Sequence, residues 1–227
     1  MLVERDGPDG TTSVLIDTSP DLRSQLLDTG TGRLDGVVYT HSHADHVHGI
    51  DDLRMIVFNM RARVPVWADG DTQNALLTKF GYAFVQPESS PYPPILDIKT
   101  ISGPFDIDGP GGPINLRPFS VGHGSIDALG FRIGNLAYLP DVATLTDAAR
   151  GELRDLDVWI VDALRRSPHP THSHLAQTLQ WIDDLAPKRA ILTNMHIDLD
   201  YDTLNAETPD HITPAHDGMC IHVPDQS

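Results

Sequence analysis

A dense cluster of histidines is the part of this sequence best suited to chemistry. His41, His43 and His46 lie close together, with Asp45 between the last two. Neutral imidazole nitrogens and carboxylate oxygens are good ligands for divalent zinc, manganese and iron. His41 and His43 are two residues apart, so in an extended chain their side chains point the same way. Asp45 and His46 come at a turn and can face a second ion about 3.5–4 Å away. The cluster therefore predicts two divalent ions.

A strand and a helix must hold this cluster in place. Residues 37–40 form a short apolar and β-branched run, which is typical of a buried strand. After the cluster, Ile50, Leu53, Ile56 and Val57 recur at helical spacing. A polar surface loop that happened to be rich in histidine would not need this strand–motif–helix context. We therefore expect the cluster to lie in a βα loop at the end of a sheet.

The rest of the chain alternates predicted strands and helices. Turn-forming residues 6–10 predict a hairpin between residues 2–4 and 12–16. Further strands are predicted at residues 64–67, 95–98, 129–133, 135–139, 158–162 and 189–193, and helices at residues 22–27, 72–80, 148–156 and 175–185. Residues 86–113 are rich in proline and glycine and predict an irregular lobe. The pattern favours a layered α/β sandwich over a barrel, in a single domain spanning residues 1–227.

Composition argues against several classes of protein. The 227 residues include 16 Lys and Arg but 32 Asp and Glu, which gives a formal net charge of −16. So acidic a chain repels phosphate backbones, which disfavours nucleic acid as a partner. A single cysteine, Cys220, cannot form an internal disulfide framework or a cysteine-based zinc cluster. No apolar run approaches the roughly 20 residues of a membrane helix, and the N-terminus lacks a signal-peptide pattern. We therefore expect a cytoplasmic protein with no membrane partner.

The spacing His-x-His-x-Asp-His in residues 41–46 resembles the signature of the metallo-β-lactamase superfamily. This resemblance implies an αβ/βα four-layer sandwich in which the motif ends a strand and holds a dinuclear metal site. It also implies three later ligands in a fixed order: a histidine, an aspartate that bridges the metals, and a histidine near the C-terminus. Together with the motif, the implied metal ligands are His41, His43, Asp45, His46, His123, Asp141 and His196.

The last of these ligands departs from the pattern of the branch of this superfamily that the chain resembles most. In that branch a histidine directly follows the Leu-Thr of the preceding strand, and here that position is Asn194. One interpretation is that His196 replaces it through a local shift of the chain. The other is that this metal is held differently, with Asp198 and Asp200 as alternative ligands.

Three longer segments narrow the resemblance to one branch. Residues 15–23, 40–54 and 217–219 look like those of the phosphoribosyl cyclic phosphodiesterases of phosphonate breakdown (PhnP-type), relatives of the tRNA-trimming RNase Z. The resemblance implies a hydrolase with two divalent ions, Mn²⁺ or Zn²⁺, and a small-molecule phosphodiester as substrate. The implied reaction opens a ribose 1,2-cyclic phosphate carrying a 5-phosphate. Metal-activated hydroxide attacks phosphorus, and Asp45 is assigned as both a ligand and a catalytic residue.

A second group of histidines, at residues 169–174, precedes the predicted helix at 175–185. The positive end of the helix dipole lies at such a position and attracts anions. By resemblance to RNase Z-like phosphodiesterases, His172 binds the scissile phosphate and protonates the leaving oxygen, with His174 as the alternative. His216 is a further candidate to line the substrate pocket. The competing interpretation is a helix capped by Ser173 with incidental histidines.

Other functions on the same fold stay open at the level of sequence. Processing of tRNA ends is disfavoured by the net charge of −16. Thiolester hydrolysis remains open because a fold does not fix a function, whereas β-lactam hydrolysis is disfavoured without an export signal. A metal-binding protein without turnover would have a closed coordination shell, whereas a catalytic site keeps a position for water.

The resemblance also predicts a strand that this chain lacks. Members of the branch begin with a glycine-rich first strand ahead of the region that matches residues 2–4. Without it, one sheet is expected to have an unpaired, apolar edge. Either a homodimer covers that edge, or the start of the chain is assigned too late. We favour the second explanation, because residues 14–16 predict a central strand with neighbours on both sides.

Overall fold

The computed structural model describes residues 1–224. The chain divides into two compact units, Met1–Leu116 and Arg117–Ser227. Each unit has its own hydrophobic core of buried residues. None of the described helices is long and apolar enough to cross a membrane. That the whole chain forms a single domain stays a prediction.

The first unit is built on a five-stranded sheet. Its strands β1 to β5 are Leu2–Gly7, Gly10–Ile16, Gly36–Val38, Val64–Ala68 and Leu96–Thr100. They lie side by side in the order β1-β2-β3-β4-β5. The predicted hairpin is present as the antiparallel pair β1–β2, and the remaining neighbours are parallel. Strand β2 thus has a neighbour on each side, as its apolar run predicts. The edge strand β1 exposes Glu4 and Asp6, so this edge carries charges rather than the apolar surface that was expected.

The predicted helices of the first unit are present, and one further short helix, within the histidine motif, was not predicted. Helices α1 to α4 span Leu22–Asp28, Ala44–Val47, Leu53–Met60 and Gly70–Phe84. Ile50, Leu53 and Ile56 are buried in the core of this unit, which explains their helical repeat. The region predicted to be irregular contains β5 and one further short strand, β6 (Phe105–Ile107).

Strand β7 (Ile114–His123) begins in the first unit, where it pairs antiparallel with β6. It continues into the second unit, whose sheet has the order β12-β11-β10-β9-β8-β7. Strands β8 to β12 are Ile126–Ile133, Leu136–Leu139, Val158–Asp162, Arg189–Thr193 and Ile212–Pro214. The pairs β7–β8 and β8–β9 are antiparallel, and β9, β10, β11 and β12 run parallel.

The second unit also contains helices α5 (Asp147–Glu152), α6 (Leu175–Leu185) and α7 (Tyr201–Glu207). Helix α6 buries Trp181 and Ile182, so its amphipathic pattern is confirmed. Strands β7 and β12 and helix α7 were not predicted. Strand β7 contains a proline and a glycine, and both residues weaken a strand pattern in sequence.

The direction of the strands determines where functional side chains collect. Parallel strands end at the same edge of a sheet, so residues that follow β2 and β3 meet in the first unit. In the second unit, the same holds for residues that follow β9, β10 and β11. Strand β7 runs in the same direction as β9, because both are antiparallel to β8. His123, the last residue of β7, therefore lies at this edge too.

Candidate metal centre

In the first unit the structure brings the histidines of the motif together. His41 follows β3, His43 is the N-cap of α2, and His46 lies within α2. The ring centroid of His41 is 4.6 Å from that of His43 and 4.2 Å from that of His46. His41 and His46 are buried, whereas His43 is more open. The extended residues before a short helix thus place three imidazoles side by side.

Asp45, on the same helix, adds a carboxylate to this group. Its Oδ2 atom is 3.4 Å from Nε2 of His46. When the His46 ring is charged and Nε2 also carries a proton, its hydrogen bond is the main influence on Asp45 and holds the pKa of that carboxyl well below its ordinary value. Asp45 is therefore ionised at neutral pH, which is the form that binds a metal.

Asp17 fixes the orientation of His46 from the end of the neighbouring strand. The Nδ1 atom of His46 is 2.8 Å from Oδ2 of Asp17. The same carboxylate accepts hydrogen bonds from the backbone N–H and the hydroxyl of Thr40, each at 2.8 Å. Because a carboxylate only accepts, we assign the proton of His46 to Nδ1, which leaves Nε2 as the nitrogen that can bind a metal.

The same chain of hydrogen bonds orients His41. Its Nδ1 is 3.0 Å from the hydroxyl of Thr40. That hydroxyl donates to Asp17 and so accepts from His41, which again leaves Nε2 as the ligand nitrogen. Asp17 itself has a left-handed backbone with φ 61°, a conformation that aspartate tolerates better than most residues.

In the second unit, His123 and Asp141 form a buried pair. Nε2 of His123 is 3.4 Å from Oδ2 of Asp141, and both side chains are almost completely shielded from solvent. The other ring nitrogen of His123, Nδ1, donates to the backbone carbonyl of Thr171 at 2.6 Å. Its Nε2 is therefore unprotonated in the neutral ring and directed toward Asp141.

His172 lies beside this pair. Its ring centroid is 4.7 Å from that of His123, and its Nε2 is 3.8 Å from Oδ2 of Asp141. Its Nδ1 is 2.9 Å from Oδ2 of Asp162, the last residue of β10. Asp162 thus orients His172 much as Asp17 orients His46.

Asp162 is fully buried, and its Oδ2 also accepts the backbone N–H of Val142 at 3.1 Å. Burial disfavours its charged form, and this is the largest influence on the group. The pKa of Asp162 is raised to about 6, although the hydrogen bond from His172 acts in the opposite direction.

His196, the predicted last ligand, lies beside Asp198 and apart from the other candidate ligands. Its Nδ1 is 3.1 Å from Oδ1 of Asp198, and more than half of its side chain is exposed. Among the described residues, His196 belongs to no group of three or more side chains that could hold a metal. Asn194 instead contacts Asp141, because it directly follows β11 and so lies at the same strand edge.

Within residues 1–224, the other two predicted substrate-binding residues, His174 and His216, show no contact with the candidate metal ligands. His174 is the N-cap of α6 and makes no capping hydrogen bond through its side chain. Ser173 donates its hydroxyl to the backbone carbonyl of Asp162 at 2.8 Å, so the interpretation of Ser173 as the helix cap is wrong. His216 is exposed, with Nδ1 3.0 Å from the backbone oxygen of Asp217. No observation assigns His174 or His216 to a substrate.

The chemistry of the predicted ligands fits a divalent ion, since imidazole nitrogens and carboxylate oxygens bind such ions. Side chains that belong to groups able to hold a metal are His41, His43, Asp45, His46, His123 and Asp141. In three of the histidines, His41, His46 and His123, the second ring nitrogen is held by a hydrogen bond. This arrangement is typical of metal-binding histidines, because it fixes the tautomer and the direction of the ligand atom. The sequence motifs predicted no role for Asp17, Asp162 or the carbonyl of Thr171. Their positions in the sequence could have indicated a role for both aspartates. Asp17 directly follows the buried strand β2, and Asp162 is the last residue of the buried strand β10.

Comparison with known proteins establishes the class. Residues 12–197 match the model of the beta-lactamase superfamily domain, and the chain belongs to that family. Its two sheets with their helices have the metallo-β-lactamase fold. The match confirms the superfamily that the histidine motif predicts.

Within that class, the chain resembles the PhnP and RNase Z-like branch. It is 35% identical to a diphosphatase from the PhnP family, over 94% of this chain and 81% of that chain, with a TM-score of 0.84. Zn²⁺-bound PqqB from Methylobacterium extorquens is 18% identical, over 98% and 86% of the two chains, with a TM-score of 0.74. The short form of human tRNase Z is 15% identical, over 99% of both chains, with a TM-score of 0.69. These last two likenesses show the fold alone.

One further relative is named as a transferase rather than a hydrolase. The octanoyltransferase of Porphyromonas gingivalis is 30% identical over 213 residues, which make up 91% of this chain but 41% of that protein. The chain thus spans about two fifths of the length of this relative.

Proposed function

We propose that this chain is a metal-dependent hydrolase of a small phosphodiester. The proposed ligands of two divalent ions, Mn²⁺ or Zn²⁺, are His41, His43, Asp45, His46, His123 and Asp141. When bound, such ions polarise a phosphoryl group and make a water molecule nucleophilic at neutral pH. Likeness to a diphosphatase from the PhnP family supports phosphoryl chemistry rather than thiolester or β-lactam hydrolysis.

The observation that carries this proposal is the position of His172. Its Nε2 lies 3.8 Å from the proposed ligand Asp141, and its Nδ1 is held by Asp162 at 2.9 Å. A histidine held in this way presents one nitrogen at a fixed place, where it delivers a proton to the departing alkoxide. An acid is needed there because an alkoxide is a poor leaving group unless it is protonated.

For the substrate, we propose a ribose 1,2-cyclic phosphate that carries a 5-phosphate. A net charge of −16 supports a small phosphate ester over an RNA, since many phosphates would be repelled at once. The diphosphatase likeness favours a second candidate, a small diphosphate cleaved at its P–O–P linkage. Both candidate substrates are cleaved at a P–O bond, and the oxygen of that bond is the leaving atom.

A substrate panel tests both candidates. Protein depleted of metal and then loaded with Mn²⁺ or Zn²⁺ is assayed with a ribose cyclic phosphate, an aryl phosphodiester, a small diphosphate and a phosphomonoester. We expect turnover of the diesters to exceed that of the monoester. Selective cleavage of the diphosphate would support the second candidate. Absence of hydrolysis of every substrate in the panel, with either metal, would contradict the proposed function.

A further inference from the structure

Asn194 occupies an unusual backbone position next to a proposed metal ligand. It directly follows β11 and has φ 58°, in the left-handed region. Its Nδ2 is 3.1 Å from Oδ1 of Asp141 and 3.3 Å from the backbone oxygen of Pro140. Both of these partners are oxygens that accept hydrogen bonds, so the amide must present its NH₂ group to them.

This contact gives the two oxygens of Asp141 different roles. Oδ1 accepts the amide hydrogen bond of Asn194, whereas Oδ2 faces Nε2 of His123 at 3.4 Å and Nε2 of His172 at 3.8 Å. Asp141 is 1% exposed, so this hydrogen bond lies out of reach of bulk water. A hydrogen bond in such surroundings restrains a carboxylate more than one at the surface does.

We propose that Asn194 is a positioning residue for Asp141, which holds the carboxylate so that Oδ2 is the oxygen presented to a divalent ion. The inference rests on the proposed function, in which Asp141 is a ligand. The amide faces Asp141 with its NH₂ group, which has no lone pair for a metal, so through this contact Asn194 acts on Asp141. Removing a hydrogen bond to a metal-binding carboxylate typically costs about 10–100-fold in metal affinity.

A purely structural role is the competing explanation. Asparagine tolerates the left-handed conformation, so position 194 could require it for its backbone alone. Asn194→Gly separates the two explanations, because glycine adopts positive φ without strain and lacks the amide. Ala186→Gly is a matched control, since Ala186 also has positive φ, at 47°, and lies in the same unit.

The test is binding of Mn²⁺ alone to metal-depleted protein, measured by titration calorimetry, together with the Tm of the metal-free proteins. We expect N194G to bind Mn²⁺ about 10–100-fold more weakly than the original chain while its metal-free Tm stays close to it. We expect A186G to leave Mn²⁺ affinity unchanged. Unchanged affinity in N194G would overturn the inference and leave Asn194 a backbone role. Failure of the original chain to bind either Mn²⁺ or Zn²⁺ would instead overturn the proposed function.

Discussion

His46 and Asp17 form a buried pair in which Nδ1 of the imidazole lies 2.8 Å from Oδ2 of the carboxylate. The two residues are 29 positions apart and meet because β2 and β3 are parallel neighbours that end at the same edge. The pair determines which nitrogen of His46 can bind a metal. Asp17 therefore affects the proposed metal centre without belonging to the histidine motif.

Asp17→Asn is expected to weaken metal binding by about 10–100-fold. Asparagine tolerates the φ of 61° at this position, so the backbone is preserved. An amide NH₂ facing His46 would force the ring proton onto Nε2 and block the ligand atom. Calorimetric titration of metal-depleted protein with Zn²⁺ measures the effect. Asp35→Asn is the control, since Asp35 is also buried and accepts a backbone hydrogen bond, from Ser13 at 2.9 Å. Equal metal affinity in D17N and D35N would contradict the prediction.

His172→Ala should slow turnover by about 10²–10⁴-fold for a substrate with an alkoxide leaving group. The loss should be much smaller for a nitrophenyl diester, whose leaving group needs no proton. His174→Ala is measured beside it, because His174 is the alternative acid; the leaving-group pattern in H174A instead of H172A would move the assignment to His174. The measurement is the turnover rate of each variant with each of the two substrates. An equal loss for both leaving groups would show that His172 only binds phosphate.

Asp162 predicts a dependence of stability on pH. Burial raises its pKa from 3.8 to about 6 in the folded chain. The folded state therefore holds this proton more tightly than the unfolded state, and the resulting stability is lost as the pH rises through about 6. Asp162→Asn cannot ionise, so its Tm relative to the original chain should increase between about pH 4 and pH 7. Thermal melts of metal-depleted proteins test this expectation. A Tm difference that stays constant with pH would refute it.

Gly124 and Gly134 both have positive φ, at 69° and 58°, but differ in the space around them. A Cβ at Gly124 would lie 2.4 Å from Cγ2 of Thr171, whereas a Cβ at Gly134 would meet nothing within 4 Å. Gly134→Ala should cost about 1 kcal/mol of stability from backbone strain, and Gly124→Ala at least about 1 kcal/mol more. Because the carbonyl of Thr171 holds His123, G124A should also weaken metal binding. Chemical denaturation and metal titration measure the two effects. Similar results for G124A and G134A would show that the contact with Thr171 is unimportant.

His196→Ala is expected to leave metal content unchanged, because His196 pairs with Asp198 on an exposed surface. Asp141→Asn should lower metal content, since an amide is a far weaker ligand than a carboxylate. Elemental analysis after reconstitution with Mn²⁺ or Zn²⁺ compares the two variants. Loss of metal from H196A would restore the original assignment of this residue as a ligand.

The sequence determined most of the regular elements. Strands β10 and β11 and helix α6 have the bounds that their apolar patterns predicted. These patterns are local, since burial on one face imposes a period of 2 on a strand and 3.6 on a helix. Strand β7 was not predicted, because Pro118 and Gly122 interrupt its alternating pattern of apolar and polar residues. Its pairing with β8 stabilises it in the folded chain.

For the proposed site, residues 41–46 are recognisable as candidate ligands from their spacing alone, because that spacing and the flanking elements are local. Which distant residues orient those side chains depends instead on how the strands pair. Asp17 reaches His46 across two parallel strands, and Asp162 reaches His172 across the β10–α6 connection. The contacts of the residues after β11 are also tertiary, since Asn194 contacts Asp141 whereas His196 pairs with Asp198. Strand pairing brings such residues together, and no local pattern in the sequence records it.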